Sequence, residues 1–219
     1  MPKKSSILVL RLESTLQAWG ESSMWTNRDT AMMPTKSGIV GMLGSALGLS
    51  PDDPRLVELF NSITMATRAD RTGSILSDYH TVRSDKLPVA NGGKQKRTIV
   101  SNRMYIQDAA FTVFIEADKA LITELADAVQ DPAWPLFLGR KCCIPSRPIF
   151  CEVTQKYNDL DSAVQFYPVL DRHTYPMPYE LEVPRQGLAS RERYDGMANG
   201  CRSFCSRRVW TVFVNKVGY

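Results

Sequence analysis

Ser5-Ser6-Ile7-Leu8-Val9-Leu10-Arg11-Leu12-Glu13 is the stretch whose reading decides the fold. Its side chains alternate: Ile7, Val9 and Arg11 fall on one face, and Leu8, Leu10 and Leu12 on the other. Both faces are largely apolar at the centre, so the segment reads as a central strand. Outward from it, a polar loop carries Trp19, Trp25, Asn27 and Arg28, and Pro34-Thr35-Lys36-Ser37 then opens an apolar run from Gly38 to Gly48. Positions 39, 40, 43, 46 and 47 share one helical face, Thr35 or Ser37 offers an N-cap oxygen, and Gly48 offers a stop. Glycines inside a helix weaken it by about 1 kcal/mol each relative to alanine. They suit a helix backbone pressed against a sheet or against another molecule.

Ser62 to Arg68 alternates again and reads as a second strand, and Ala109 to Ala117 as a third. Lys119 to Gln130 has helical spacing and is stopped by Pro132; Phe150 to Thr154 is the fourth strand. The order strand, helix, strand, strand, helix, strand is the split βαβ plan of a ferredoxin-like or RRM-like α+β fold, whose open sheet face often carries RNA-binding residues. An insertion over about 73–108 is too long for a simple turn. From Arg83 to Arg103 it holds Arg83, Lys86, Lys94, Lys96, Arg97 and Arg103 against Asp85 alone, with Asn91-Gly92-Gly93 as a turn signal. A protruding hairpin with a basic tip is the natural reading. Residues 1–150 then form the first domain, and 151–219, ending in the strand-like Arg208 to Val214, form a small β-rich second one.

Composition narrows the function classes. The chain has 219 residues, 43% hydrophobic and 23% charged, which excludes wholesale disorder. Its longest apolar-leaning run, Ile39 to Leu49, is too short and too glycine-rich to span a bilayer, and no signal peptide is expected. Five cysteines, an odd number, fit a reducing cytoplasm. Cys142-Cys143 and Cys201-x3-Cys205 lack metal-ligand spacing, so they read as packed thiols rather than zinc ligands. Neither a nucleophile elbow, a P-loop nor a Gly-x-Gly-x-x-Gly motif is present. No cofactor or metal is expected. The net charge of +4 permits nucleic-acid binding without demanding it. Phosphate-friendly elements recur, however: Thr35-Lys36-Ser37-Gly38 at a helix start, Leu138-Gly139-Arg140-Lys141, Pro184-Arg185-Gln186, and Ser190-Arg191-Glu192-Arg193-Tyr194. Rings such as Tyr79, Tyr105 and Tyr194 can stack on bases. Together these features favour single-stranded RNA.

Several blocks also resemble a known family. They are Leu16-Gln17-Ala18-Trp19-Gly20, Pro34 to Gly38, Asp78-Tyr79-His80-Thr81-Val82, Arg103-Met104-Tyr105 through Val113, Leu138 to Lys141 with Cys143, and Pro184-Arg185-Gln186 through Ala189-Ser190-Arg191-Glu192. In this order they resemble the CasD family of type I-E CRISPR Cascade subunits, in the RAMP superfamily. The last twenty-five or so residues match no block of that family. The resemblance implies a ferredoxin-like domain with a β-hairpin thumb, and a non-catalytic role holding the 5′ handle of the crRNA. It implies a seat beside the CasC backbone and the large CasA subunit, with target DNA reached only through the complex. The implied RNA-binding set is Gln17, Trp19, Arg28, Thr35, Lys36, Ser37, Tyr79, His80, Arg103, Gly139, Arg140, Lys141, Arg185 and Arg191. The alternative is a metal-independent endoribonuclease, as in the I-C branch, using Tyr79, His80 and Lys36 or Lys141 on repeat RNA. A protein–protein scaffold anchored by Trp19, Trp25 and Trp134 is a third reading.

Overall fold

The computed structural model describes residues 6–88, 94–170, 173–182, 190–198 and 203–214. In chain order the elements are β1 (Ser6–Glu13), β2 (Leu16–Gln17), β3 (Asn27–Arg28), α1 (Lys36–Ala46), α2 (Arg55–Ser62), β4 (Thr64–Arg71), β5 (Ser74–Pro88) and β6 (Lys94–Gln107). They continue with β7 (Ala110–Ala117), α3 (Lys119–Gln130), β8 (Phe150–Thr154), α4 (Leu160–Phe166), β9 (Met177–Leu181), β10 (Ser190–Ala198) and β11 (Ser203–Val214). The result is a mixed α+β molecule.

Seven strands form one sheet in the order β10-β11-β9-β4-β7-β1-β8. As its alternation requires, β1 lies inside, antiparallel to β7 on one side and to β8 on the other. Leu8, Leu10 and Leu12 enter a core with Ile39 and Leu43 of α1, Leu59 of α2, and Ile122 and Leu125 of α3. Ile7 and Val9 enter a second core with Phe114, Tyr179 and the α4 residues Leu160, Ala163 and Val164. Three helices therefore cover one face and α4 the other. The C-terminal strands continue the same sheet, because β9 pairs with β4 at Ala66↔Leu181 through Arg68↔Tyr179.

The helix start expected at Thr35 is present: its hydroxyl accepts from Gly38 N, and Gly48 at φ +72° stands just beyond the end of α1. The glycines of α1 divide by purpose. A Cβ on Gly38 would meet the Trp19 ring at 2.9 Å, and one on Gly44 would strike Leu56 of α2; around Gly41 nothing lies within 4 Å. Helices α2 and α4 escaped the sequence reading, since both are short and their periodicity spans only two turns.

Arg68, read from sequence merely as the end of a strand, is wholly buried with Asp70. Its guanidinium also donates to Val164 O, Tyr167 O and Pro168 O, capping the C-terminal end of α4.

A second sheet holds the insertion. β5 and β6 pair antiparallel from Ser74↔Gln107 out to Pro88↔Lys94. The expected turn Asn91-Gly92-Gly93 lies outside the described residues. β2 pairs with the base of β6, and β3 runs parallel to it with Arg28 opposite Arg103. Gly73 (φ +71°) and Asp108 (φ +55°) mark the two points where the hairpin leaves the main sheet.

Candidate nucleic-acid interface

A cavity of about 630 Å³ opens between the loop after β2, the exposed side of α1 and the loop 139–141. Trp19, Arg28, Thr35, Ser37, Gly139, Arg140 and Lys141 all line it, so half of the fourteen residues singled out from sequence converge there. Gly41 and Ser45 floor it along α1, and Trp134 closes one side.

The framework behind the cavity is tightly bonded. Gln17 is buried and donates to Leu12 O at 3.2 Å and Ala109 O at 3.0 Å, while accepting from the Trp19 indole N–H at 3.2 Å. Trp19 is only 1% exposed, so Gln17 and Trp19 shape the wall rather than reach outward. Ala18 N donates to Leu138 O, which ties the two loops together. Arg140 stacks on Tyr105, 4.6 Å from the ring centroid, and donates to Met104 O, Arg28 O and Asp29 O. Its guanidinium therefore ties three backbone segments together at the cavity rim. Lys141 is exposed beside it.

Lys36 does not share this site. Its side chain is buried, donates to Ile63 O at 2.8 Å and Glu182 at 2.9 Å, and lies 4.4 Å from the Phe60 ring centroid. Burial pushes its ammonium below the ordinary lysine value, against the upward pull of Glu182. Sequence could not foresee this, because Glu182 lies 146 residues away. The anion expected at the start of α1 is likewise the protein's own: Lys36 N donates to the Asp195 carboxylate at 2.7 Å, and Arg207 holds both oxygens of that carboxylate. Arg193, buried nearby, binds Glu180, Glu21 and the carbonyls of Met33 and Pro34. This ionic lattice between α1 and the C-terminal strands was missed from sequence; its only signal was the density of acidic and basic residues at 180–208.

The hairpin sorts the remaining candidates by strand parity. Register pairs Asp78↔Arg103 and His80↔Ser101 put His80, Arg103 and Tyr105 on one face; Tyr79↔Asn102 puts Tyr79 on the other, 69% exposed. Arg103 donates to Ser101 Oγ, and His80 Nδ1 lies 3.5 Å from Asp78. Arg191, on β10, is paired with Glu180. Arg185 lies outside the described residues, as do Cys201 and the side chains of Lys86, Lys94, Lys96 and Arg97. Among the described cysteines, Cys142 is exposed, and burial pushes the Cys143 thiol up to about 11. No group of three metal-ligating side chains occurs among the described residues. No described helix is long and apolar enough to cross a membrane.

Known proteins share this architecture. Residues 7–205 match the family described as CRISPR-associated protein (Cas_Cas5). The "CRISPR system Cascade subunit CasD" of Escherichia coli (strain K12) is 35% identical over 176 residues, covering 75% of this chain and 78% of that protein. A chain from a "CRISPR RNA-guided surveillance complex" superposes with a TM-score of 0.76 at 28% identity, over 95% of this chain and 90% of its own. A second, described as "Crystal structure of Cas protein", gives 0.73 at 30% identity over 96% and 95%. With nearly its whole length matched in sequence and in fold, this chain belongs to the CRISPR-associated Cas5 family, as a CasD-like member.

Proposed function

We propose that the chain is a non-catalytic subunit of a Cascade-type surveillance complex and holds the 5′ handle of the crRNA in the cavity beside α1. The central strands β4-β7-β1-β8, with α1 and α3 as crossovers, serve as its ferredoxin-like domain, the β5–β6 hairpin as its thumb, and the part of 151–219 beyond β8, whose strands extend the same sheet, as its β-rich C-terminal unit. CasC and CasA are its neighbours, target DNA is reached through the complex, and the cytoplasm is its compartment. The observation that carries this reading is the convergence of Arg28, Ser37 and Lys141 on one cavity floored by a glycine with empty space before it.

Neutralised phosphates make binding salt-dependent, with a slope of about −0.7 per contact on single strands. Titrating the chain with handle-bearing RNA across salt concentrations should give a steep line, and Lys141→Ala should flatten it by about 0.7 while weakening binding a few-fold. A salt-independent affinity, indifferent to removal of the handle, would end this assignment.

Gly41→Ala separates fold from function. Helix propensity improves by about 1 kcal/mol and no neighbour is struck, so the melting temperature should rise by roughly 2–4 °C. The added methyl enters the cavity, and handle affinity should fall. A stabilised variant with unchanged affinity would show that no ligand approaches the helix there.

The ribonuclease alternative needs tyrosine, histidine and lysine together. Tyr79 and His80 leave the hairpin on opposite faces, Lys36 is engaged with Glu182, and Lys141 lines the cavity, whose lining includes neither Tyr79 nor His80. Repeat RNA incubated with the chain in EDTA should stay intact; specific cleavage lost in His80→Ala would reverse the proposal.

A further inference from the structure

Trp25 is 75% exposed, the highest value among the large apolar side chains of the described residues. An indole left in water gains nothing for folding, and Trp19, six positions earlier, is buried. Nor is Trp25 on an untethered loop. Met24 N donates to Asn27 O, Asn102 N on β6 donates to Thr26 O, and Asp29 accepts from Ser22 N at 2.8 Å and from the Ser23 hydroxyl at 2.5 Å. The backbone that carries the ring is thus held in place while the ring remains wet. Arg28 stands over it, its guanidinium carbon 5.2 Å from the ring centroid.

Arg28 links two surfaces. It lines the cavity, and it stands opposite Arg103 in the parallel β3–β6 pairing. Trp25 therefore sits where the cavity passes onto the Arg103 side of the hairpin. A nucleotide leaving the cavity would meet cations suited to its phosphate and an aromatic face suited to its base. A guanidinium against the indole adds a cation–π contact that fixes the ring's attitude. An apolar protein surface would use the indole but leave the charges of Arg28 and Arg103 unmatched, whereas a single-stranded polyanion uses both the ring and the cations.

We propose that Trp25, steadied by Arg28, is a stacking platform for one unpaired base of the bound RNA at the mouth of the cavity. This deepens the handle-binding reading and rests on it.

The test uses the full chain and a single-stranded RNA carrying the handle, with each base in turn removed to leave an abasic sugar. Trp25→Ala should bind the intact RNA about tenfold more weakly, and Trp25→Phe should retain most of the affinity. One abasic position should weaken the wild type by about as much and have no further effect in Trp25→Ala. Because the side chain is exposed, melting temperatures should match across the three proteins. If the wild type binds the RNA and Trp25→Ala binds equally well, or every abasic loss adds in full to the substitution, the platform is wrong and the indole faces a protein partner. If the wild type does not bind handle RNA, the handle-binding reading fails and the platform fails with it; the wild-type arm alone tells the two failures apart.

Discussion

Gly139→Ala should lower the melting temperature by roughly 6–12 °C and remove handle binding in the same step. Gly139 has φ +95°, a region that side-chain-bearing residues rarely adopt, and a Cβ there would be driven into the Ala18 carbonyl. Strain of 1–3 kcal/mol combines with a backbone clash that no rotamer can relieve, for about 3 kcal/mol in all. At roughly 2–4 °C per kcal/mol for a chain of this size, that gives the stated shift. The functional loss follows from position. The Ala18 N to Leu138 O hydrogen bond and the Arg140 contacts to Met104 O, Arg28 O and Asp29 O hold three cavity walls in register, and all depend on how closely loop 138–140 approaches Ala18. Thermal denaturation and RNA titration of one preparation check both halves. A variant that melts like the wild type would mean the loop yields freely.

Asp195→Ala should destabilise the chain by about 3–5 kcal/mol near neutral pH, because removing one partner of a buried ionic set strands the others. Asp195 is fully buried; without it, Arg207 keeps Glu182 alone among the described carboxylates that pair with it, and the first N–H of α1 loses the carboxylate it donates to. Burial by itself would raise the Asp195 carboxyl. The Arg207 hydrogen bonds and charge, then Arg193 and the Lys36 N–H, outweigh burial and hold the carboxyl below the ordinary aspartate value. The sign of the pH effect follows. A depressed folded value contributes stability that is fully present above the unfolded value of about 3.9 and is lost as pH falls through the folded one. Denaturant unfolding should therefore show a wide gap between wild type and Asp195→Ala at pH 7 that narrows below about pH 4. A gap unchanged at pH 3 would assign the loss to packing instead. Phosphate or formate should partly restore the variant, since the vacated slot faces Lys36 N, Arg207 and Arg193.

Much of the fold was legible because its signals are local. Lys119–Gln130 and Phe150–Thr154 match their expected bounds, Thr35 caps α1, and the two faces of β1 enter two cores. Recurrence of side chains every 2 or 3.6 residues is a property of the backbone and survives in any surroundings. The candidate site was legible as a set of blocks but not as a geometry. Arg140 read as a phosphate ligand and proved to be bound to three carbonyls; Lys36 read as a cradle cation and proved to be a buried partner of Glu182. Trp19, Trp25 and Trp134 looked alike, and only the folded chain separates the buried first from the exposed other two.

The linear chain by itself determined the long periodic elements β1, α1, α3 and β8, that the central strand is apolar on both faces, and which polypeptide family the motif blocks belong to. Only the tertiary structure decided which cations face water. An ammonium or guanidinium is solvated or neutralised according to which carboxylates come within a few ångströms, and those carboxylates, Glu182 just after β9 and Asp195 on β10, lie about 150 residues downstream of Lys36.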